Sequence, residues 1–545
     1  MIEVLLNKPE FEYDIHSLIK AFFPEQYVGV SAEKKEYDEK IDIRMQVNYG
    51  EDTIKITWQE IVQKDADAQV SEKLDQEDAD IQTNQKLDQK DADVQTDQKL
   101  DQKDTDVQTD QKLDQEEVKE IPGETIRVDF LDRVRTKNQL KQMLYRMLCD
   151  YTKRTLPWGN LTGIRPTKIP MKLLEEGKSR EDIYRYMKDT YFASDEKIEL
   201  AADIAERENA ILKKIDYDNG YSLYIGIPFC PTTCLYCSFT SYPLVSWKNR
   251  VDAYLDALEK EIDYTVAKFY HKHLNSIYIG GGTPTTLEPY QLDRLVRKIK
   301  CSFDLSDCLE FTVEAGRPDS ITREKLEVLH KWGITRISIN PQTMQQRTLD
   351  LIGRRHSVEQ TVESFKIARE LGFDDINMDL IMGLPEESLE DVRDTLEQIM
   401  QLKPDNLTVH SLALKRAARL NMFKEDYKDY KMVNTQEHMD LTASYAKKMK
   451  LFPYYLYRQK GMAGNLENVG YAKEGKAGVY NILIMEEKQT IVACGAGAST
   501  KRVWNEPNPD GTHRIERCEN VKDVGQYIER IDEMIERKQK LFAEE

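Results

Sequence analysis

Residues 224–237 read YIGIPFCPTTCLYC, a β-rich run that passes through Pro228 into a loop carrying Cys230, Cys234 and Cys237. The C-x-x-x-C-x-x-C spacing supplies three thiolates from one short loop. That is enough for three irons of a cubane and leaves the fourth iron without a protein ligand, open to another molecule. Zinc ordinarily takes a fourth ligand from a similar short motif, and no neighbouring Cys or His offers one. The other five of the eight cysteines, Cys149, Cys301, Cys308, Cys494 and Cys518, stand singly or in apolar surroundings and read as small buried hydrophobes.

Outward from this loop, short β-rich runs alternate with amphipathic helices. YSLYIGI, SIYIGG, LEFTVEA, ITRISIN, INMDLIM and LTVHSLA begin near residues 221, 276, 309, 334, 376 and 407. Alternation of this kind predicts an α/β fold in which a parallel sheet is wrapped by helices. Six units over residues 216–424 predict a partial (β/α)6 TIM-like barrel, with its chemistry at the C-terminal ends of the strands.

The flanks differ in texture. Residues 1–64 hold an amphipathic stretch near His16 and two alternating runs, IDIRMQV and DTIKITW, around a turn at residues 48–51, the first part of a small α+β N-terminal domain. Residues 65–118 are built on a thirteen-residue repeat, KLDQEDADIQTNQ, KLDQKDADVQTDQ, KLDQKDTDVQTDQ and a truncated KLDQEE. One Leu and one Ile or Val per unit cannot offset the entropy of ordering it, so it is expected to be a disordered insertion in a surface loop. Residues 119–215 read as the helical continuation of the N-terminal domain, with a helix over 137–154. Residues 425–545 read as a separate α+β C-terminal domain able to cap the open side of the barrel. They are expected to contain a hairpin in VYNILIMEEKQTIVACGAG and a charged terminal helix from Val521.

The formal net charge of −19 is concentrated in the repeat: residues 65–117 carry eighteen Asp or Glu and six Lys, net −12, leaving −7 for the rest. No basic stripe interleaved with aromatics suggests nucleic acid. No eighteen-residue apolar run predicts a membrane span, and the N-terminus turns acidic too early for a targeting peptide, so a cytoplasmic location is expected.

YIGIPFCPTTCLYC, the GGGTPT at 280–285, Glu314, Gln342 and the DLIMGLP at 379–385 resemble the radical S-adenosylmethionine (radical SAM) family, specifically its oxygen-independent coproporphyrinogen III oxidase group. LTGIRPTK at 161–168 is similar to the HemZ-type branch of that group. The resemblance covers about residues 120–540. It implies a four-iron four-sulfur cluster on Cys230, Cys234 and Cys237, and S-adenosylmethionine bound at the open iron and cleaved reductively to a 5′-deoxyadenosyl radical. An electron donor such as flavodoxin or ferredoxin is implied with it.

By the same resemblance, Gly281, Gly282 and Thr283 would meet the amino and carboxylate ends of the cofactor, where absent side chains let backbone approach. Glu314 would take the ribose diol, two hydroxyls on one carboxylate. Gln342 and Asp379 would add cofactor contacts, and Ala413 a backbone contact to adenine. Tyr224 and Tyr236 flank the cysteine loop as aromatic cofactor contacts. Arg354, in IGRRH, would pair with the cofactor carboxylate through its guanidinium fork. Tyr224 and Arg354 are also the candidate catalytic residues.

Family members acting on coproporphyrinogen often have a His two residues after the first tyrosine and an extra Cys two residues after the third cluster cysteine. Gly226 and Phe239 stand at those positions here. Lys415, Arg416 and Arg419, just beyond the sixth strand, are candidate cations for an anionic porphyrinogen. His356 and His410 have no ligand partner at metal spacing and read as structural. The activity implied is oxidative decarboxylation of two propionates of coproporphyrinogen III to vinyl groups, giving protoporphyrinogen IX for heme synthesis. The alternatives are a heme-trafficking protein on the same barrel, or another radical SAM enzyme acting on a tetrapyrrole.

Overall fold

The computed structural model describes residues 1–33, 37, 39–62, 117–239, 241–413, 415, 417–459, 466–508 and 513–543. They form two compact units, Met1–Leu156 and Pro157–Glu545.

In the first unit, strands β1 (Ile2–Leu6), β2 (Val28–Ser31), β3 (Ile43–Tyr49), β4 (Thr53–Val62) and β5 (Glu117–Arg127) make one sheet in the order β2-β1-β3-β4-β5. β3 and β4 pair antiparallel from Ile43↔Glu60 to Tyr49↔Ile54, closing the hairpin at residues 50–52. Helix Glu12–Phe22 buries Ile15, Leu18 and Ile19, and helix Arg133–Thr152 buries Leu140, Met143, Leu144 and Leu148. The 3.6-residue spacing of those side chains makes each helix one-sided. β4 and β5 pair with Val62 opposite Glu117, so the chain leaves and re-enters the sheet at facing positions. Glu117 and Val118, placed in the insertion by sequence, belong to β5; the repeat itself lies outside the described residues.

The second unit contains β6 (Gly220–Ile227), β7 (Phe229–Cys230), β8 (Tyr242–Pro243), β9 (His273–Gly281), β10 (Glu310–Gly316), β11 (Arg336–Ile339), β12 (Ile376–Met382) and β13 (Asn406–Ser411). It continues with β14 (Phe452–Tyr457), β15 (Asn468–Ala472), β16 (Thr490–Cys494), β17 (Ser499–Pro507) and β18 (His513–Glu519). β7 and β8 pair with each other; the rest form one sheet, β14-β15-β13-β12-β11-β10-β9-β6-β16-β17-β18. β6 and β9 to β13 are the six predicted strands, parallel throughout. The fold is the mixed α/β, TIM-like barrel that the rhythm predicts.

Beyond β13 the chain departs from expectation. β16 adds a seventh parallel strand beside β6, antiparallel β17 and β18 extend that edge, and antiparallel β15 and β14 extend the other beyond β13. Residues 425–545 are therefore not a separate domain, and residues 157–215 belong with the barrel. The break in β/α rhythm marks a change of strand direction, which antiparallel pairing permits without a crossover helix. The expected hairpin is instead a helix, Val479–Glu486, followed by β16. VYNILIM is apolar without alternation, and such a short run does not distinguish buried helix from buried strand. The terminal helix is two, Val524–Glu529 and Ile531–Leu541.

The barrel strands alternate in character, and register aligns that alternation. Leu223, Ile277 and Ile279, with Phe311, Val313, Ile337, Met378, Leu407 and Val409, pack under the helices in one continuous core. Tyr224↔Tyr278, Tyr278↔Thr312 and Glu314↔Ser338 put the alternate residues on the other face, with Asn377, Asp379, Thr408 and His410. That face is polar and self-bonded: Ser222 and Ser276 hydroxyls lie 2.7 Å apart, and Thr408 Oγ1 donates to Asn377 Oδ1 at 2.9 Å. Among the described residues no helix is long and apolar enough to cross a membrane.

Candidate active site

The cysteine loop leaves β6 at Ile227 and is clamped by three neighbouring segments. Gly282 N–H donates to Ile227 O and Thr283 N–H to Phe229 O, both at 2.7 Å. Leu235 N–H donates to Ile352 O and Leu420 N–H to Leu235 O, both at 3.0 Å. Thr232 Oγ1 donates to Gly353 O at 3.0 Å. The glycines answer to this crossing. A Cβ on Gly282 would meet Phe229 O at 2.5 Å, and Gly281 turns at φ +104°, a conformation side chains disfavour.

Cys230 Sγ lies 3.5 Å from Thr283 Oγ1. Cys234 is buried against two arginines: Arg317 Nη1 approaches its Sγ at 3.5 Å, and Arg354 bonds both Cys234 and Tyr236 while Nη1 donates to Asn340 O at 2.5 Å. Burial pushes the Cys230 thiol up to about 11 and raises Cys237, so both hold their protons at neutral pH until a metal displaces them. Among the described residues no three His, Cys, Asp or Glu side chains converge on a single ion, an arrangement that a cubane held through three of its irons by one thiolate each does not use.

The predicted cofactor residues lie on the polar face of the barrel strands and on the loops that follow them. Glu314 accepts from Tyr278 Oη at 2.5 Å and from Gly281 N–H; burial, with Asp379 adding to it, pushes its carboxyl up to about 7. Gln342 lies three residues beyond β11 rather than at its end, at φ +72°. Its N–H donates to Asp379 O and its O accepts from Ile381 N–H, both at 2.9 Å, continuing the ladder past the strand. Its Oε1 and Asn340 Oδ1 are buried without a hydrogen-bond partner. Asp379 Oδ1 accepts from Asn377 Nδ2 at 2.7 Å. The Tyr224 ring lies 6.3 Å from both Tyr278 and Tyr480, whose own rings stack on each other at 4.6 Å. Ala413 is half-buried on the loop two residues past β13.

On that loop Lys415 Nζ stands 5.7 Å over the exposed Phe239 ring and acts electrostatically on Cys237. Arg419 heads the short helix Arg419–Met422, and Arg416 lies outside the described residues. His356 is buried beside Arg354 and pushed down to about 3, by burial first and that cation second, so it stays neutral. His410 is also lowered by burial; its Nδ1 is 3.5 Å from Tyr457 Oη.

Sequence reading passes over Tyr278, Arg317, Tyr457 and Tyr480. Tyr278 carries a usable signal, since it stands two residues before Gly280 on the polar face of β9. Arg317 and Tyr480 arrive from a turn and from a helix read as strand.

The profile of the Radical SAM superfamily matches residues 224–399. The chain is 41% identical over 413 residues to the oxygen-independent coproporphyrinogen-III oxidase-like protein HemZ of Bacillus subtilis (strain 168), covering 75% of this chain and 81% of that one. It is 42% identical over 195 residues to the heme chaperone HemW of the same organism, 35% of this chain and 50% of that one. It is 30% identical over 260 residues to the oxygen-independent coproporphyrinogen III oxidase of Escherichia coli (strain K12), 47% of this chain and 56% of that one. With the cysteine loop set at the end of the first barrel strand and most of the HemZ chain matched, this protein belongs to the radical SAM superfamily, in the coproporphyrinogen-III oxidase-like group of HemZ, and its cofactors are a four-iron four-sulfur cluster and S-adenosylmethionine.

Proposed function

We propose that the chain is an oxygen-independent coproporphyrinogen III oxidase that converts propionate side chains of the porphyrinogen to vinyl groups. The observation that carries this reading is the identity to HemZ, which runs through the barrel and beyond it. The residues present fit both cofactors: three thiols on one loop, a buried arginine beside them, and orphaned buried acceptors at Gln342 and Asn340. Cys230, Cys234 and Cys237 would hold the cluster. Gly281, Gly282, Thr283, Glu314, Gln342, Arg354, Asp379 and Ala413, with Tyr224 and Tyr236, would hold S-adenosylmethionine. When bound, the pair supplies one-electron chemistry able to remove a hydrogen atom from an unactivated carbon.

The side chains of this protein would orient, shelter and neutralise. Arg354, locked on Asn340 O, offers its remaining donors to a carboxylate. Tyr236 and Leu235 exclude water from the loop, and Lys415 places a cation at the cluster mouth where an anionic porphyrinogen would enter. For each propionate one hydrogen atom leaves the β-carbon, carbon dioxide leaves the carboxylate, and one electron passes to a one-electron acceptor, so the balance closes on a vinyl group. An external donor of the flavodoxin or ferredoxin class would supply the priming electron.

The HemW identity supports a second reading, heme carriage without turnover. Anaerobically reconstituted protein, given S-adenosylmethionine, a reductant and coproporphyrinogen III, is expected to yield deoxyadenosine and a product lighter by carbon dioxide and two hydrogens per propionate. Stoichiometric heme binding with no such product would replace the first reading by the second. Exchanging Lys415 and Arg416 together for alanine is expected to weaken porphyrinogen affinity and leave cluster content intact.

A further inference from the structure

Glu314 is surrounded by titratable groups from four elements: Tyr224 of β6, Tyr278 of β9, Asp379 of β12 and Tyr480 of helix Val479–Glu486. An ionised carboxylate offers about four acceptor positions. Tyr278 Oη and Gly281 N–H take two of them. Tyr278 itself is fixed, its ring 4.6 Å from Tyr480 at an interplanar angle of 22° and 6.3 Å from Tyr224 at 12°. Tyr480 is fixed in turn by its helix: Val479 N–H donates to Glu310 Oε2 at 2.5 Å, and Asn481 Nδ2 to Tyr454 Oη at 3.1 Å.

Resting on the reading of Glu314 as the ribose acceptor, we propose that Tyr278, clamped by Tyr480, is a positioning residue that keeps Glu314 ionised and aimed, so that its two remaining acceptor positions serve the ribose diol. The C-terminal helix Val479–Glu486 thereby sets the affinity of the barrel for its nucleoside cofactor. The contest is over one proton. Burial and Asp379 favour the neutral acid, while Tyr278 and Gly281 favour the carboxylate. A protonated Glu314 offers a donor and fewer acceptor positions to two hydroxyls that must both donate. Asp379 is tied to Asn377 and cannot leave, so loss of the Tyr278 hydroxyl tips the balance toward the acid.

The test measures S-adenosylmethionine affinity of cluster-reconstituted full-length protein by equilibrium dialysis from about pH 6 to pH 9. Wild type is expected to bind more tightly as pH rises through about 7. Tyr278→Phe, which keeps the ring and its stacking, is expected to bind roughly tenfold more weakly at neutral pH, the scale of a hydrogen bond to a charged group, and to regain most of the loss at high pH. Tyr480→Leu, which frees the Tyr278 ring, is expected to move the curve the same way. A Tyr278→Phe curve that coincides with wild type, or that is weaker by one constant factor at every pH, overturns the proposal. Glu314→Gln separates it from the reading beneath it. If that variant binds like wild type, Glu314 does not take the ribose; if it fails while Tyr278→Phe does not, only the positioning role falls.

Discussion

Arg317 Nη1 lies 3.5 Å from Cys234 Sγ, and the rest of the guanidinium is spoken for: Nε and Nη2 grip the Asp319 carboxylate at 3.0 and 2.7 Å, and Nη1 also meets Thr232 O and Oγ1 at 3.0 and 2.9 Å. A cation so fixed against a sulfur proposed to ligate the cluster would stabilise its more negative, reduced state, because hydrogen bonds and charge at the sulfurs set its potential. Arg317→Gln is therefore expected to make the cluster harder to reduce, by roughly 60 mV, equivalent to about 1.4 kcal/mol for a one-electron couple. Spectroelectrochemical titration of the reconstituted protein measures it. An unchanged midpoint would mean the arginine only braces the loop.

The carboxyl of Glu314 leads to a prediction on stability of the cofactor-free protein. Its value is raised from 4.5 unfolded to about 7 folded, so the folded state binds the extra proton between those limits. The contribution to stability is present below about pH 4.5 and is lost as pH rises through about 7. Asp375 and Glu387, pushed by burial to about 6 and about 7, act in the same direction. Glu314→Gln removes one of the three and leaves the other two. Between about pH 5.5 and pH 8 the variant should lose about 2 kcal/mol less stability than wild type in chemical denaturation, since a tenfold change in an acidity constant corresponds to about 1.36 kcal/mol. Parallel pH profiles would remove Glu314 as the source.

Iron content separates the eight cysteines. Exchanging any one of Cys230, Cys234 and Cys237 for alanine is expected to abolish the stable incorporation of about four irons per chain, since three of the four irons would each take one of these thiolates. Cys494 is buried with its thiol pushed up to about 12, and Cys149 is raised by burial as well. Cys494→Ala and Cys149→Ala are expected to bind iron like wild type in colorimetric analysis.

The barrel was readable because its information is local. Apolar residues at every second position of six runs face the helices, and the cysteine spacing lies within eight residues, so period and loop could both be seen without tertiary knowledge. Glu314 and Asp379 were singled out by resemblance to the family, and the structure places both on the polar parity of their strands. The seventh parallel strand and its neighbours were not readable. β16 reaches β6 across more than two hundred intervening residues, and Tyr480 meets Tyr278 from a helix whose run has no period to declare it. Arg317 illustrates the same limit: it is an ordinary arginine after a strand until folding brings it to Cys234. Partnership between distant segments is decided by packing, and composition records only one side of it.

The acidic repeat enters the first unit between two paired residues, and that register makes a prediction of its removal. Val62 and Glu117 face each other at the open end of the β4–β5 ladder, with Ile61↔Val118 next to them. Two chain ends already at cross-strand distance can be joined by a two-residue turn, which is the commonest hairpin connection. Replacing residues 63–116 by Asn-Gly would shorten the connection about twenty-sevenfold. Loop-closure entropy changes by only about 0.6 kcal/mol per doubling, so the gain in stability should be at most about 2–3 kcal/mol. The acidic balance should fall sharply, since most of the net charge lies in the removed segment. The shortened protein is expected to fold, to incorporate iron and to bind S-adenosylmethionine with the affinity of the full chain, because the residues proposed to hold the cluster and the cofactor all lie in the second unit. Circular dichroism, a thermal melt and equilibrium dialysis measure these in turn. A shortened chain that melts far below the parent would show that the repeat stabilises the β4–β5 edge, and one that melts normally but loses cofactor affinity would tie the repeat to the barrel.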